Sequence, residues 1–324
     1  MTTDRRGLLT AAGAFLAAPL ARPALAQGRS GPIRLVVGFP PGGSGDLFAR
    51  LAAEPLREEL GRPVIVENRP GAGGVTAVEY FLRQPADGSV LMMHTGSSAV
   101  AGPISRRNPP YNPMTDFAWV ALLSNAPFAV ALNPRVPAED LKQFVAYAKA
   151  QNGALSYSSA GIGTTVHLAA EALNAAAGIE VQHVPYQGSG PAITDTINGT
   201  VAYNIETYGT LLPHHRAGAL RIIATMAEER TAIAPEIPTA KEQGWDVSAG
   251  TYNLLAAPNG TPREVMDQVS GAIGRVMARQ EIKERLSVLG ITGYTNSNPD
   301  EAKAFVAAEI ARWTPIVRRL GIAV

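Results

Sequence analysis

The chain has 324 residues, 46% of them hydrophobic and 17% charged, with 28 Lys and Arg against 27 Asp and Glu. That is enough for two ordinary domains with sizeable cores, and it excludes a disordered or fibrous protein. Because there is no cysteine, disulfides, thiolate metal sites, cysteine nucleophiles and a lipid-bearing lipoprotein cysteine are excluded too.

Residues 1–26 have the order of a secretory signal: Arg5 and Arg6, an apolar run from Leu8 to Leu20, then Ala24-Leu25-Ala26 before a mature start at Gln27. The apolar run is too short to span a bilayer. The paired arginines, and Arg22 before the cleavage site, point toward twin-arginine export, although general secretion signals also begin basic. No later stretch reaches 18 apolar residues, so the mature protein is expected to be soluble in the periplasm. Losing three arginines and one aspartate with the signal leaves 25 basic against 26 acidic residues. A balance this close to zero gives nucleic acid no electrostatic footprint.

Along the mature chain, short β-branched runs alternate with amphipathic segments. Strands are expected at Ile33–Val37, Val64–Glu67, Val90–His94, Phe128–Leu132, Ser156–Ser158, Val181–Val184, Ala202–Ile205, Arg221–Thr225 and Tyr252–Ala257. Helices are expected over Ala138–Gln151, Val166–Ala177, Pro191–Asn198 and Arg263–Ala278. Alternation of this kind predicts an α/β fold with parallel sheets. A last helix begins at Pro299 behind an Asn298 cap, with Ala302, Phe305, Val306, Glu309, Trp313, Ile316, Val317 and Leu320 on one face. Pro55 should kink the helix that follows the first strand, near Leu51.

The stretch VVGFPPGGSGD, from Val36 to Asp46, joins the first strand to that helix. Pro40 and Pro41 stiffen the turn, while Gly42, Gly43 and Gly45 leave backbone N–H groups open to a ligand. Ser44 and Asp46 suit the helix N-cap, and the helix brings its positive dipole end to the loop. Together these features favour an anion. The alternative is an ordinary strand-to-helix turn with a capping Asp.

The known anion and nucleophile motifs do not fit. No lysine follows these glycines as a phosphate loop requires. Gly161-x-Gly163 has Val166 where a dinucleotide fingerprint needs a third glycine. Ser44 misses the nucleophile elbow by its last residue. His94, His167, His183, His214 and His215 show no metal-ligand spacing beyond one adjacent pair. No catalytic set emerges, and no cofactor or metal is expected. What remains is a pair of similar turns, FPPGGSGD and SSAGIGTT, rich in glycine and hydroxyls and free of basic side chains. Facing each other across a cleft, they would clamp a carboxylate through N–H and O–H donors.

Taken in order, PIRLVVGFPPGGSGDLFARLAAEPL, VIVENRPGAGG, ADGSVLMMHTGSSAV, LSYSSAGIGTTVHLAAEAL, VPYQGSGPAITDTINGTV and PEIPTAKEQG resemble successive blocks of the Bug or TctC family. These are periplasmic substrate-binding proteins of tripartite tricarboxylate transporters. The resemblance implies a two-lobed type II periplasmic-binding-protein fold, with two crossing strands as hinge and a small carboxylate in the cleft. Lobe one would comprise residues 28–126 and 252–324, and lobe two residues 127–251. The family pattern falls on Phe39, Pro40, Gly42, Gly43, Ser44 and Asp46, with Thr95 and Ser97. In the second lobe it falls on Ser159, Ala160, Gly161, Gly163, Thr164, Thr165 and His167, with Tyr186, Gly188 and Ser189 nearby. Thr164, Thr165 and Ser97 are the favoured ligand donors, and Tyr186 and His167 equally suit packing or capping.

One departure stands out. Where relatives often read Phe-Asp-Asn, this chain has Ile205, Glu206 and Thr207. If Glu206 lines the cleft, its charge disfavours a second carboxylate beside it and favours a hydroxy-, amino- or aromatic acid. The resemblance implies solute capture for the membrane subunits of such a transporter, or a sensory role through a signalling partner such as a sensor kinase. An enzyme acting on a small acid and the effector domain of a transcription regulator are the other classes. The missing catalytic set disfavours the first, and the export signal with no DNA-binding segment disfavours the second.

Overall fold

The computed structural model describes residues 31–231 and 233–322, so the expected export segment and its cleavage site lie outside the described residues. The chain runs β1 (Ile33–Val37), α1 (Ser44–Leu60), β2 (Val64–Asn68), α2 (Val75–Phe81) and β3 (Val90–Thr95). A π-helical turn over Ser97–Ala101 leads into α3 (Gly102–Ile104) and the long β4 (Phe117–Leu132). Next come α4 (Leu141–Ala150), β5 (Ser156–Ser159), α5 (Thr165–Ala177), β6 (Gln182–Pro185) and α6 (Ser189–Asn198). They are followed by β7 (Tyr203–Thr207), α7 (Tyr208–Arg216) and β8 (Arg221–Thr225). The last elements are β9 (Gly250–Pro258), α8 (Arg263–Ala278), α9 (Gln280–Val288), β10 (Thr292–Gly293) and α10 (Pro299–Arg319).

Two sheets share one strand. The first runs β2-β1-β3-β9-β4, with β1 parallel to β2 and β3, and β9 antiparallel to β3 and β4. The second runs β6-β5-β7-β4-β8, with β5 parallel to β6 and β7, and β4 antiparallel to β7 and β8. β4 pairs with β9 up to Pro127 and with β7 from Phe128 onward. A proline has no N–H to give to a ladder, so the handover from one sheet to the next falls where a donor is already missing. The return crossing lies alongside: Phe128 N–H donates to the Ala249 carbonyl at 3.0 Å, and Met226 N–H to the Phe128 carbonyl at 2.7 Å. Gly250 is required here, because a Cβ on it would sit 2.5 Å from the Ala126 carbonyl oxygen.

The predicted run Phe128–Leu132 is therefore only the far part of a 16-residue strand. Ser124, Asn125 and Pro127 interrupt the apolar pattern and hide its first eleven residues. Ser124 is nonetheless buried, at a register shift, where its hydroxyl accepts from Asn253 Nδ2 at 2.9 Å. α1 stays helical through Pro55. The α10 start follows the sequence reading: the Asn298 side chain accepts from the Asp300 and Glu301 N–H groups, and Ala302, Val306, Trp313 and Val317 are buried. β1 is buried along nearly its whole length, which places the loop after it at a fixed point on a rigid frame.

Candidate functional site

Ligands of open α/β sheets collect beyond the carboxyl ends of the parallel strands, where loops turn into helix N-termini. Here the turns after β1, β3 and β5, the start of α6, the end of β7 and the crossing parts of β4 and β9 meet around a cavity of about 60 Å³. Of the residues singled out from sequence, Phe39, Pro40, Pro41, Gly43, Gly45, Thr95, Ser97, Ala160, Thr165, Ser189 and Glu206 line it. Phe128, Val166, Gly190, Pro191 and Thr251 complete the wall. The Ser189–Pro191 turn carries the same glycine and hydroxyl signal as the two predicted loops. Thr251 and Phe128 belong to the crossing strands and have no local signature.

The other predicted residues support the loops from behind. Asp46 does not cap α1; Gly43 stands at the N-cap, with no side-chain cap bond. Asp46 is 1% exposed and accepts from the Gly42 N–H at 3.0 Å, from Asn68 Nδ2 at 2.8 Å and from Arg50 Nε at 3.0 Å. Asn68 also donates to the Phe39 carbonyl at 3.0 Å, so one carboxylate ties both sides of the loop to β2. Burial alone would raise the Asp46 pKa, but the bonds from Arg50, Gly42 and Asn68 outweigh it and hold the carboxyl below its ordinary value. Gly45, which lines the cavity, also packs on β3, where a Cβ would come within 2.9 Å of the Thr95 methyl. Ser44 begins α1.

In the second loop, Thr164 caps α5. Its hydroxyl donates to the Gly161 carbonyl at 2.7 Å and accepts from the His167 N–H at 3.4 Å. His167 Nδ1 accepts from the Gly163 N–H at 3.2 Å, and Ser159 Oγ bonds His183 Nε2 at 2.7 Å. The Tyr186 hydroxyl donates to Asp195 at 2.6 Å. These residues, with Gly42 and Gly161, set the shape of the loops without lining the cavity. The neighbouring Thr165 does line it, and its hydroxyl pairs with Ser97 Oγ at 3.1 Å across the two sheets.

The charge pattern is asymmetric. Thr95 Oγ1 is buried without a hydrogen-bond partner. Glu206 is 3% exposed and accepts from the Ser189 hydroxyl and, at 2.8 Å, from the Thr207 N–H. Burial pushes its pKa above the ordinary value, against the pull of those two bonds and of the Thr207 hydroxyl. A larger open groove of about 630 Å³ is lined by Pro127, Gly250 and Tyr252. These residues alternate along β4 and β9 with Phe128 and Thr251, and so face the other way. It has Glu228, Lys283, Glu309 and Arg312 on its walls, and none of its lining residues opens a helix, whereas the smaller cavity is lined by the α1 N-cap and the first residue of α6; the smaller cavity is the candidate site.

Because Asp46 braces the loop from beneath, Asp46→Ala is expected to destabilise the protein by about 2 kcal/mol and weaken solute binding with no ligand contact removed. Urea unfolding and calorimetry together check this; unchanged unfolding with unchanged affinity would remove the bracing role.

The family model described as tripartite tricarboxylate transporter family receptor matches residues 48–322. The chain is 33% identical over 318 residues to the protein BugT of Bordetella pertussis, covering 97% of each. Among solved structures, it superposes with a TM-score of 0.87 and 28% identity on an R. palustris protein solved with adipate, covering 90% of this chain and 98% of that one. MatC from Rhodopseudomonas palustris with bound malate gives a TM-score of 0.84 at 29% identity, covering 88% and 98%. No described helix is long and apolar enough to cross a membrane. The chain belongs to the Bug/TctC family, the periplasmic solute-binding receptors of tripartite tricarboxylate transporters.

Proposed function

We propose that the cavity between the two sheets takes up one small carboxylate and that the protein delivers it to the membrane subunits of a tripartite transporter. The observation that carries this reading is the lining itself. The α1 N-terminus has no side-chain cap, Thr95 Oγ1 lacks a partner, and Ser97 and Thr165 add hydroxyls. Such neutral donors suit an anion that must later be released, because a buried ion pair would hold it more tightly. Residues 28–126 with 252–324, and residues 127–251, act as lobes that close about the β4 and β9 crossing. The adipate and malate seen in relatives support the ligand class.

Calorimetry with a panel of mono-, di- and tricarboxylates tests capture, and small-angle scattering tests closure. At least one carboxylate is expected to bind, and saturation is expected to shrink the radius of gyration. A panel with no binder would refute carboxylate capture; binding with an unchanged radius would refute closure.

A further inference from the structure

Glu206 is the one ionisable residue among those lining the cavity. It is almost wholly enclosed, and no lysine or arginine shares the wall. Its side chain bonds the Ser189 hydroxyl at the first turn of α6, a 10-residue helix whose N-cap, Gly188, supplies no side-chain cap. The positive end of that helix dipole favours the ionised carboxylate there. A carboxylate offers about four acceptor sites; the Ser189 hydroxyl and the Thr207 N–H occupy two of them, and the Thr207 hydroxyl also acts on the group. The second-sheet side of the cavity thus presents an anion with acceptor capacity to spare.

The first-sheet side is the converse. Gly43 and Gly45 open the uncapped N-terminus of α1 onto the cavity. Thr95, 5% exposed, has a hydroxyl with no partner among the described residues. One side offers donors that lack an acceptor, and the other offers an acceptor that lacks a cation.

Building on carboxylate capture, we infer that the solute is a small amino acid whose carboxylate sits at the α1 terminus and Thr95 and whose ammonium group sits against Glu206. A plain dicarboxylate would place its second anion beside a buried anion with no counter-charge in the wall. A hydroxy acid would supply a donor but leave the Glu206 charge uncompensated. An ammonium group supplies both donor and charge, and the preference over deaminated analogues then rests on repulsion as much as attraction. The cavity volume of about 60 Å³ favours a short carbon skeleton.

The test uses ligand triples of one skeleton each: L-alanine, L-lactate and propionate; L-aspartate, L-malate and succinate; L-glutamate, L-2-hydroxyglutarate and glutarate. Affinities are measured by calorimetry at pH 7 on wild type and on Glu206→Gln, with circular dichroism to check folding. In the tightest-binding triple the amino acid is expected to exceed the deaminated acid at least tenfold, and Glu206→Gln to cut that ratio at least tenfold. A merely structural role for Glu206 would weaken all three members alike. Binding heats in two buffers of different ionisation enthalpy give a readout that needs no variant. An ammonium beside Glu206 lowers its pKa and causes no proton uptake, whereas a second carboxylate raises it and draws a proton in. Should the deaminated acid bind as well as the amino acid in every triple, or should the ratio survive Glu206→Gln, the inference is wrong. Proton uptake with the tightest ligand would also overturn it. If no member of any triple binds, carboxylate capture itself fails and this inference falls with it.

Discussion

A Gly43→Val protein is expected to fold as the wild type does and to lose at least a hundredfold in solute affinity, about 2.8 kcal/mol. Gly43 has φ −78° and ψ 165°, extended backbone that any residue adopts. A Cβ there meets only the Pro40 carbonyl oxygen, at 3.7 Å, an ordinary contact. Valine is a poor N-cap residue, a cost of about 1 kcal/mol, but losing a glycine restricts the unfolded chain by a comparable amount. Stability should therefore change little. The side chain would instead fill much of the cavity, because Gly43 lines it and its volume is only about 60 Å³. The valine would occupy the position where an anion must approach the first N–H groups of α1.

Two companion variants sharpen this result. Gly45→Ala drives a Cβ to 2.9 Å from the Thr95 methyl, so it should disturb both folding and binding. Thr164→Val removes the cap of α5 and should cost about 1 kcal/mol of stability, with a smaller effect on affinity than Gly43→Val. Calorimetry with the tightest carboxylate, beside thermal melts, distinguishes these outcomes. Undiminished affinity in Gly43→Val would mean that the solute does not approach the α1 terminus.

The contrast between Thr164 and Thr165 shows what was legible in the sequence. Strand, glycine turn and helix could be read in order because β-branched runs and Pro-Gly pairs act locally. Which of two adjacent threonines faces the cavity depends on the helix phase after the turn, and composition does not encode that. Asp46 was misread for a related reason: the residue types that cap a helix also serve in its first turn, bonding backwards to the loop. Glu206 was visible as an acid after a strand, but its enclosure arises from Ser189 and α6, which approach from elsewhere in the chain. Thr251 and Phe128 were least accessible of all. They reach the cavity because β4 changes sheets at Pro127, a property of pairing register and not of any local stretch.

Acid should destabilise this protein at pH values above the ordinary carboxylate range. Burial lowers the pKa of His94 and His167 to about 3, and of His183 to about 4, from an ordinary 6.5; the neighbouring His183 adds to the effect on His167. A base with a depressed folded pKa contributes stability that is complete above 6.5 and lost as pH falls from 6.5 toward 3–4. At pH 5, His94 and His167 each forfeit about 2 kcal/mol and the less buried His183 somewhat less, so a loss of about 5 kcal/mol is expected between pH 7 and pH 5. Asp46 cannot account for a loss in that window, since its lowered pKa confines its effect to pH below the ordinary carboxylate range. Glu206, with a raised pKa, has the opposite sign and adds stability as pH falls through its folded value. The geometry explains why protonation is so unfavourable. His94 lies among Phe81, Phe117 and Trp119, with its Nε2 buried and unpartnered. The His167 and His183 rings stack with centroids 4.1 Å apart. A proton on His167 Nδ1 would also break its bond from the Gly163 N–H, so acid should loosen the second loop and weaken binding together with stability. Urea unfolding at pH 7, 6 and 5 gives the slope directly. His94→Phe, which keeps an aromatic ring in that cluster, should remove over a third of the loss. Stability that stays level from pH 7 to 5 would show that these rings are not held neutral by the fold.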